Sequence, residues 1–340
     1  MIHTVLGPID AATAGPVSMH EHLLADASAL HRPGIEPAPA ETTVQPSVLG
    51  YLRWNQLGLA DNLRLDDDGL AAEELSLAAA RGQGMVVEST SLGLGPDHAR
   101  LPGIARASGV VIVAAYGSYL DAGLPDWFAA LDEGEREELF VTALTESVPG
   151  TGYRAGLLGI MGTSGELTGS ERASLLAACR AAAACDASVS IRLDPDARTG
   201  LDVIALCEAA GLDPRRIILT NVDEYLDEAY LRELAATGAV LEMCFGNEAF
   251  HFGRVRNPSD LERLDFLTGF LDRMPASRWV LGCSVWTKAQ LRHFGGGGYE
   301  HLLARVVPAL GYSGVSPEVL HEMLVGTPRA LLDRASPVRP

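Results

Sequence analysis

Ser18-Met19-His20-Glu21-His22-Leu23-Leu24 sets two imidazoles two residues apart in an otherwise apolar run. On an extended strand such side chains point the same way, so His20 and His22 stand side by side. That spacing lets one strand give two ligands to one metal ion. Taken alone, the motif reads more plainly as a hydrogen-bonded histidine pair at a strand end. Other residues able to do chemistry also close strand-like runs. They are Glu88, Tyr119, Arg192, Asn221, Asp223, Glu242, Cys283 and Ser284. Arginine is a fixed cation that can grip a carboxylate or phosphate through two parallel hydrogen bonds. Carboxylates beside histidines set the imidazole pKa and make acid–base pairs. Cys283 and Ser284 are candidate nucleophiles, but no Ser-His-Asp order or elbow motif accompanies them. Small barrel-lining residues are the plainer reading of both.

The elements that must position these groups repeat. After a short strand over 2–6, turned by Gly7-Pro8, and the His20 stretch, apolar β-branched runs recur at 85–90, 110–116, 155–161, 188–193, 216–221, 239–245 and 279–284. Helical patterns separate them: a run to Ala184 opened by Ser170, one from Leu201 to Ala210, one from Asp227 to Thr237, and one to Met274 opened by the capping box Ser259-Asp260-Leu261-Glu262. Ser316-Pro317 starts the last helix. Near-continuous apolar strands alternating with helices argue for a parallel sheet covered by helices. Eight units in one chain of this length predict a single (β/α)8 TIM-barrel domain over 1–340, with an N-terminal β-hairpin within 1–15. A doubly wound sheet is the alternative, and no G-x-G-x-x-G opens a helix. The proline-rich stretch 31–60 is expected as a loop with some helix over one end of the barrel.

Composition narrows the partners. The chain has 340 residues, 47% hydrophobic, enough for a large core. Its net charge of −18, from 44 acidic against 26 basic residues, repels nucleic acid and anionic membranes. No apolar run is long enough to span a membrane and no signal peptide is evident at Met1. Five cysteines without C-x-x-C spacing read as reduced thiols in a cytoplasmic protein.

Chemistry in a barrel of this kind sits at the C-terminal strand ends. There the chain resembles the phosphotriesterase-like family of the amidohydrolase superfamily. The resemblance rests on Met19-His20-Glu21-His22-Leu23, Leu92-Gly93-Leu94-Gly95, Arg154-Ala155-Gly156, Gly162-Thr163-Ser164, Asn257-Pro258-Ser259-Asp260, Lys288 and Gly295-Gly296-Gly297-Gly298-Tyr299, and runs from Ile2 to Leu332. It implies metal-dependent hydrolysis of phosphotriesters, lactones and related esters, and often a homodimer. The family site uses two divalent metals. They are held by the His-x-His pair, a carboxylated lysine or glutamate after strand four, histidines after strands five and six, and an aspartate after strand eight; the metals make a bound water nucleophilic.

The matching positions here are Ile160, Arg192, Asn221 and Ser284. The only lysine is Lys288, and no histidine lies between His98 and His251. The expectation is therefore no binuclear centre and no cofactor. The alternative is one weakly held zinc or other divalent ion on His20 and His22, helped by Glu21, Cys283 or Glu242.

Two functions compete. In the first, an enzyme has changed its chemistry. His20 and His22 act as acid and base, Asp223, Glu88 or Glu242 sets their pKa, and Arg192 holds an anionic group of a small ester, lactone or amide. Glu88, Tyr119, Asn221, Glu242, Cys283 and Ser284 then shape the substrate site. In the second, a non-catalytic barrel binds a small molecule, and Arg192 is a structural partner of Asp194 or Asp223. A residual zinc hydrolase is a third reading. Loops 31–60 and 246–258, the latter with Phe250, His251, Phe252 and Arg254, are expected to border the pocket.

Overall fold

In the computed structural model, which describes residues 1–248 and 257–334, a hairpin opens the chain. Strands β1 (Ile2–Thr4) and β2 (Gly7–Ile9) pair Ile2 with Ile9. Gly7, at φ +108°, takes the left-handed turn a side chain would resist. Then come β3 (Val17–Glu21) and an antiparallel ribbon of β4 (Ala25–Asp26) with β5 (Arg64–Leu65), which no residue pattern announced. The ribbon closes the base of the 31–60 excursion.

The remaining strands are β6 (Met85–Glu88), β7 (Val111–Tyr116), β8 (Leu157–Gly162), β9 (Val189–Arg192), β10 (Ile217–Thr220), β11 (Val240–Cys244) and β12 (Arg278–Gly282). With β3 they form an eight-stranded parallel sheet in chain order. The ends meet: Ser284 N–H donates to His20 O (2.8 Å) and His22 N–H to Val285 O (3.2 Å). The buried Glu21 carboxylate reinforces the seam by accepting Cys283 N–H and Val285 N–H, each at 3.1 Å, and the Ser18 hydroxyl at 2.5 Å. The result is a (β/α)8 barrel.

Two apolar layers follow from strand alternation. Val86, Ile112, Leu158, Ile191, Leu219, Leu241 and Leu281 face the helices. Met85, Val87, Val113, Ala115, Leu157, Ile218, Val240 and Val280 fill the barrel, plugged at its N-terminal end by Ile2 and by Leu331 and Leu332 of the last helix. Val17 and Met19 belong to this interior. A register irregularity between Ser18 and Glu21 then shifts the inward parity, so that His20 and His22 face the mouth.

The helix over Gly169–Ala184 is capped by Thr168 with Glu171, not by Ser170; Ser170 lies inside its first turn. The Ser259–Glu262 capping box forms as expected. Within 31–60, a turn at Pro46–Val48 and a helix at Leu49–Trp54 overhang the C-terminal end of the barrel. Lys288 Nζ secures the segment just beyond, 2.7 Å from Asp61. Phe250, His251, Phe252 and Arg254 lie outside the described residues. No helix among the described residues is long and apolar enough to cross a membrane.

Candidate active site

A cleft of about 990 Å3 opens at the C-terminal ends of the strands. Six residues singled out in the sequence line it: His20, His22, Tyr119, Arg192, Asn221 and Ser284. The walls are largely apolar, from Ala25, Ala27, Leu30, Leu57, Leu94, Leu120, Ile160 and Trp286, with Arg32 at one side.

A continuous hydrogen-bonded chain forms the floor. His20 Nδ1 lies 2.7 Å from Glu242 Oε1, and its Nε2 lies 3.2 Å from His22 Nε2. His22 Nδ1 is 3.0 Å from Thr90 Oγ1, which in turn bonds Glu88 Oε1. Both histidines are buried, so each ring is held at two nitrogens with little freedom to turn. Burial alone would lower the His20 pKa, but Glu242 at contact distance, with Glu21 and Asp223 beyond, raises it above the ordinary value. His22 is held well below, by burial and then by His20. When the pair carries one proton, His20 has it. Burial also pushes Glu88 up to about 8, against the opposing bond from Thr90.

Arg192 projects from the end of β9 and is 9% exposed. Its Nη1–H donates to Thr163 O at 3.3 Å and its buried Nε has no partner. Burial would lower its pKa, but Tyr119, Glu224, Asp194 and Glu171 outweigh it, and the cation is retained. Neither Asp194 nor Asp223 forms an ion pair with Arg192 among the described residues. Asp223 instead accepts from the fully buried Arg263, Oδ2 to Nε 2.9 Å, in a structural pair between the β10 end and the following helices.

The structure separates four candidates from the cleft surface. Glu242 and Glu88 are each 1% exposed and stand behind the histidines, where they orient rings rather than touch a ligand. Cys283, also 1% exposed, faces the outer apolar layer because strand parity sends its neighbour Ser284 inward. Asp223 is committed to Arg263. Sequence reasoning overlooked Thr90, Arg32, Trp286 and Asn247 at the site. Thr90 had a visible signal, a hydroxyl two residues beyond Glu88 at the same strand end; the others come from excursions whose path only folding sets.

The donors present do not fit two bridged metal ions. At the strand-four position Ile160 offers hydrocarbon, and at strand five Arg192 offers a cation. At strand six the Asn221 amide donates to Glu224 Oε1 at 2.6 Å. The His20–Glu242 pair of the floor, with Cys244, forms a trio of buried donors whose ligand atoms lie within 4.8 Å of one another. It is a nitrogen–oxygen–sulfur set of a kind zinc accepts. Glu21, considered as a helper ligand, is consumed by the barrel seam.

Comparison with known proteins agrees with this fold. The sequence pattern of the phosphotriesterase family matches residues 1–332. A protein named N-acetyltaurine hydrolase from Tetraodon nigroviridis is 30% identical over 339 residues, covering 97% of each chain. Its Homo sapiens counterpart is 29% identical over 342 residues at the same coverage. Among solved structures, a resiniferatoxin-binding protein from Rhodobacter sphaeroides superposes with a TM-score of 0.94 at 32% identity, covering 98% of this chain and 94% of that one. With a match along nearly its whole length and a His-x-His pair at the mouth of a closed eight-stranded barrel, this chain belongs to the phosphotriesterase family.

Proposed function

We propose that this protein is a hydrolase of a small amide or ester that carries an anionic group, working through its own side chains rather than a binuclear metal centre. One observation carries the reading. A buried carboxylate–imidazole pair, Glu242 with His20 at 2.7 Å, stands at the floor of a cleft whose wall holds a buried guanidinium with donors to spare. Glu242 holds the ring through Nδ1, so that Nε2, which lies between His22 Nε2 and Ser284 Oγ at the cleft, is the nitrogen that moves the proton between nucleophile and leaving group. Arg192 grips the anion and so sets the distance between the charged end of the substrate and the scissile bond. The relatives' name supports this class, since N-acetyltaurine joins an acetyl amide to a sulfonate. The five cysteines, all free, suit a reducing cytoplasmic compartment.

A second reading, a binding barrel without turnover, has the apolar cleft walls and the name of the Rhodobacter relative in its favour. The test is metal analysis of the purified protein together with hydrolysis of N-acyl amino-sulfonates, amino-carboxylates, lactones and phosphotriesters, before and after chelation. Chelator-insensitive turnover with less than about a tenth of an ion per chain supports the proposal. About two ions per chain with chelator-sensitive turnover overturns the metal-free chemistry. Tight binding without turnover favours the binding barrel.

A further inference from the structure

Resting on the hydrolase reading, we propose that Ser284 is the nucleophile and that the reaction passes through an acyl-serine. Ser284 Oγ lies 3.4 Å from His20 Nε2, and His20 Nδ1 lies 2.7 Å from Glu242 Oε1. The three side chains thus stand in the order hydroxyl, imidazole, carboxylate. That is the arrangement by which a serine is activated wherever it has arisen, whatever the order along the chain. Its members come from β3, β11 and the end of β12, which explains why no linear motif announced it.

The local backbone is built around this approach. Ser284 has φ +45°, a left-handed conformation that L side chains rarely adopt. It is held there by its own N–H donating to His20 O at 2.8 Å. Two residues earlier, Gly282 lets β12 run against His20; a Cβ there would meet His20 Cβ and N at 3.0 Å. The hydroxyl is only half-buried and opens to the cleft, while its neighbour Cys283 is turned away. No hydrogen bond other than that to His20 engages the Ser284 hydroxyl among the described residues.

In the turnover-competent form His20 is neutral with Nδ1–H on Glu242, and Nε2 gives up its 3.2 Å contact with His22 Nε2 to accept the Ser284 proton as Oγ attacks the carbonyl carbon. The carbon–nitrogen or carbon–oxygen bond breaks, and His20 passes that proton to the leaving amine or alcohol. Water then attacks the acyl-serine and gives its proton to His20. The ester bond breaks, Oγ recovers the proton, and the carboxylic acid leaves.

The experiment treats the full chain with a fluorophosphonate probe and with p-nitrophenyl acetate, followed by peptide mass mapping. The wild-type protein should carry a phosphonyl or acetyl group on Ser284. Labelling should fall about tenfold or more in Ser284→Ala and in His20→Ala. Ser284→Gly, which relieves the backbone strain, should be folded by circular dichroism and equally unreactive. Turnover of an anionic amide that survives undiminished in Ser284→Ala, with no adduct on Ser284, would make water the nucleophile and sink this inference while sparing the hydrolase reading. Absence of both adduct and turnover in the wild-type protein would overturn both.

Discussion

Replacing Arg192 with leucine removes a buried cation from the cleft wall and leaves a smaller apolar side chain in its place. Of the five N–H donors of a guanidinium, the structure commits one, to Thr163 O at 3.3 Å, and leaves Nε without a partner. A bound anion would therefore receive two charge-assisted hydrogen bonds that no described residue already takes. At about 1.5–3 kcal/mol each, their loss amounts to about 3–6 kcal/mol, or roughly two to four orders of magnitude in kcat/KM. The loss should be confined to charged substrates. The assay is kcat/KM for an N-acetyl amino-sulfonate and for a neutral amide of the same length. The neutral compound should change less than about threefold. Thermal stability provides an independent check. A desolvated cation with few partners costs the fold, so Arg192→Leu should melt at the same temperature or higher. Equal losses for charged and neutral substrates, or a large drop in melting temperature, would refute the assignment and make Arg192 a structural group.

Asp223→Ala deprives the fully buried Arg263 of its hydrogen-bonded carboxylate, leaving only Asp260 at 3.8 Å, and urea denaturation should show a loss of about 3–5 kcal/mol. Unchanged stability with abolished turnover would return Asp223 to the catalytic set. Glu242→Gln should keep the fold but cut kcat by about two to four orders of magnitude, because an amide no longer stabilises the imidazolium; near-normal kcat would remove Glu242 from the mechanism. His98, outside the cleft lining, supplies a pH test of stability. Burial holds it at about 4, below its ordinary 6.5, so the unfolded chain binds a proton in that window and the native one does not. The His98 contribution should be full above pH 6.5 and fall by about 3 kcal/mol as pH drops toward 4. His98→Gln should make that fall shallower in denaturation curves at pH 7 and 4.5, and an unchanged slope would mean His98 does not contribute.

The sequence by itself determined the architecture. Strand and helix periodicities are local, and eight apolar runs such as Val111–Tyr116 and Val240–Cys244, each followed by a capped helix, leave few ways to bury their faces. It also fixed the side-chain types at the family's ligand positions. Ile160, Arg192 and Asn221 cannot act as the family's bridging and imidazole ligands wherever the backbone runs. Tertiary structure decided which polar groups meet. His20 and Glu242 are 222 residues apart and His20 and Ser284 are 264 apart, and no local pattern encodes such pairs. The irregularity in β3 turned His20 and His22 into the mouth, and strand parity at the end of β12 exposed Ser284 and buried Cys283. Asp223 looked catalytic from its position, but Arg263 on a later helix claimed it. The physical reason is common to all three. A side chain's type fixes the chemistry it can do, whereas its partner and its access to the cleft depend on register and packing between segments far apart in the chain.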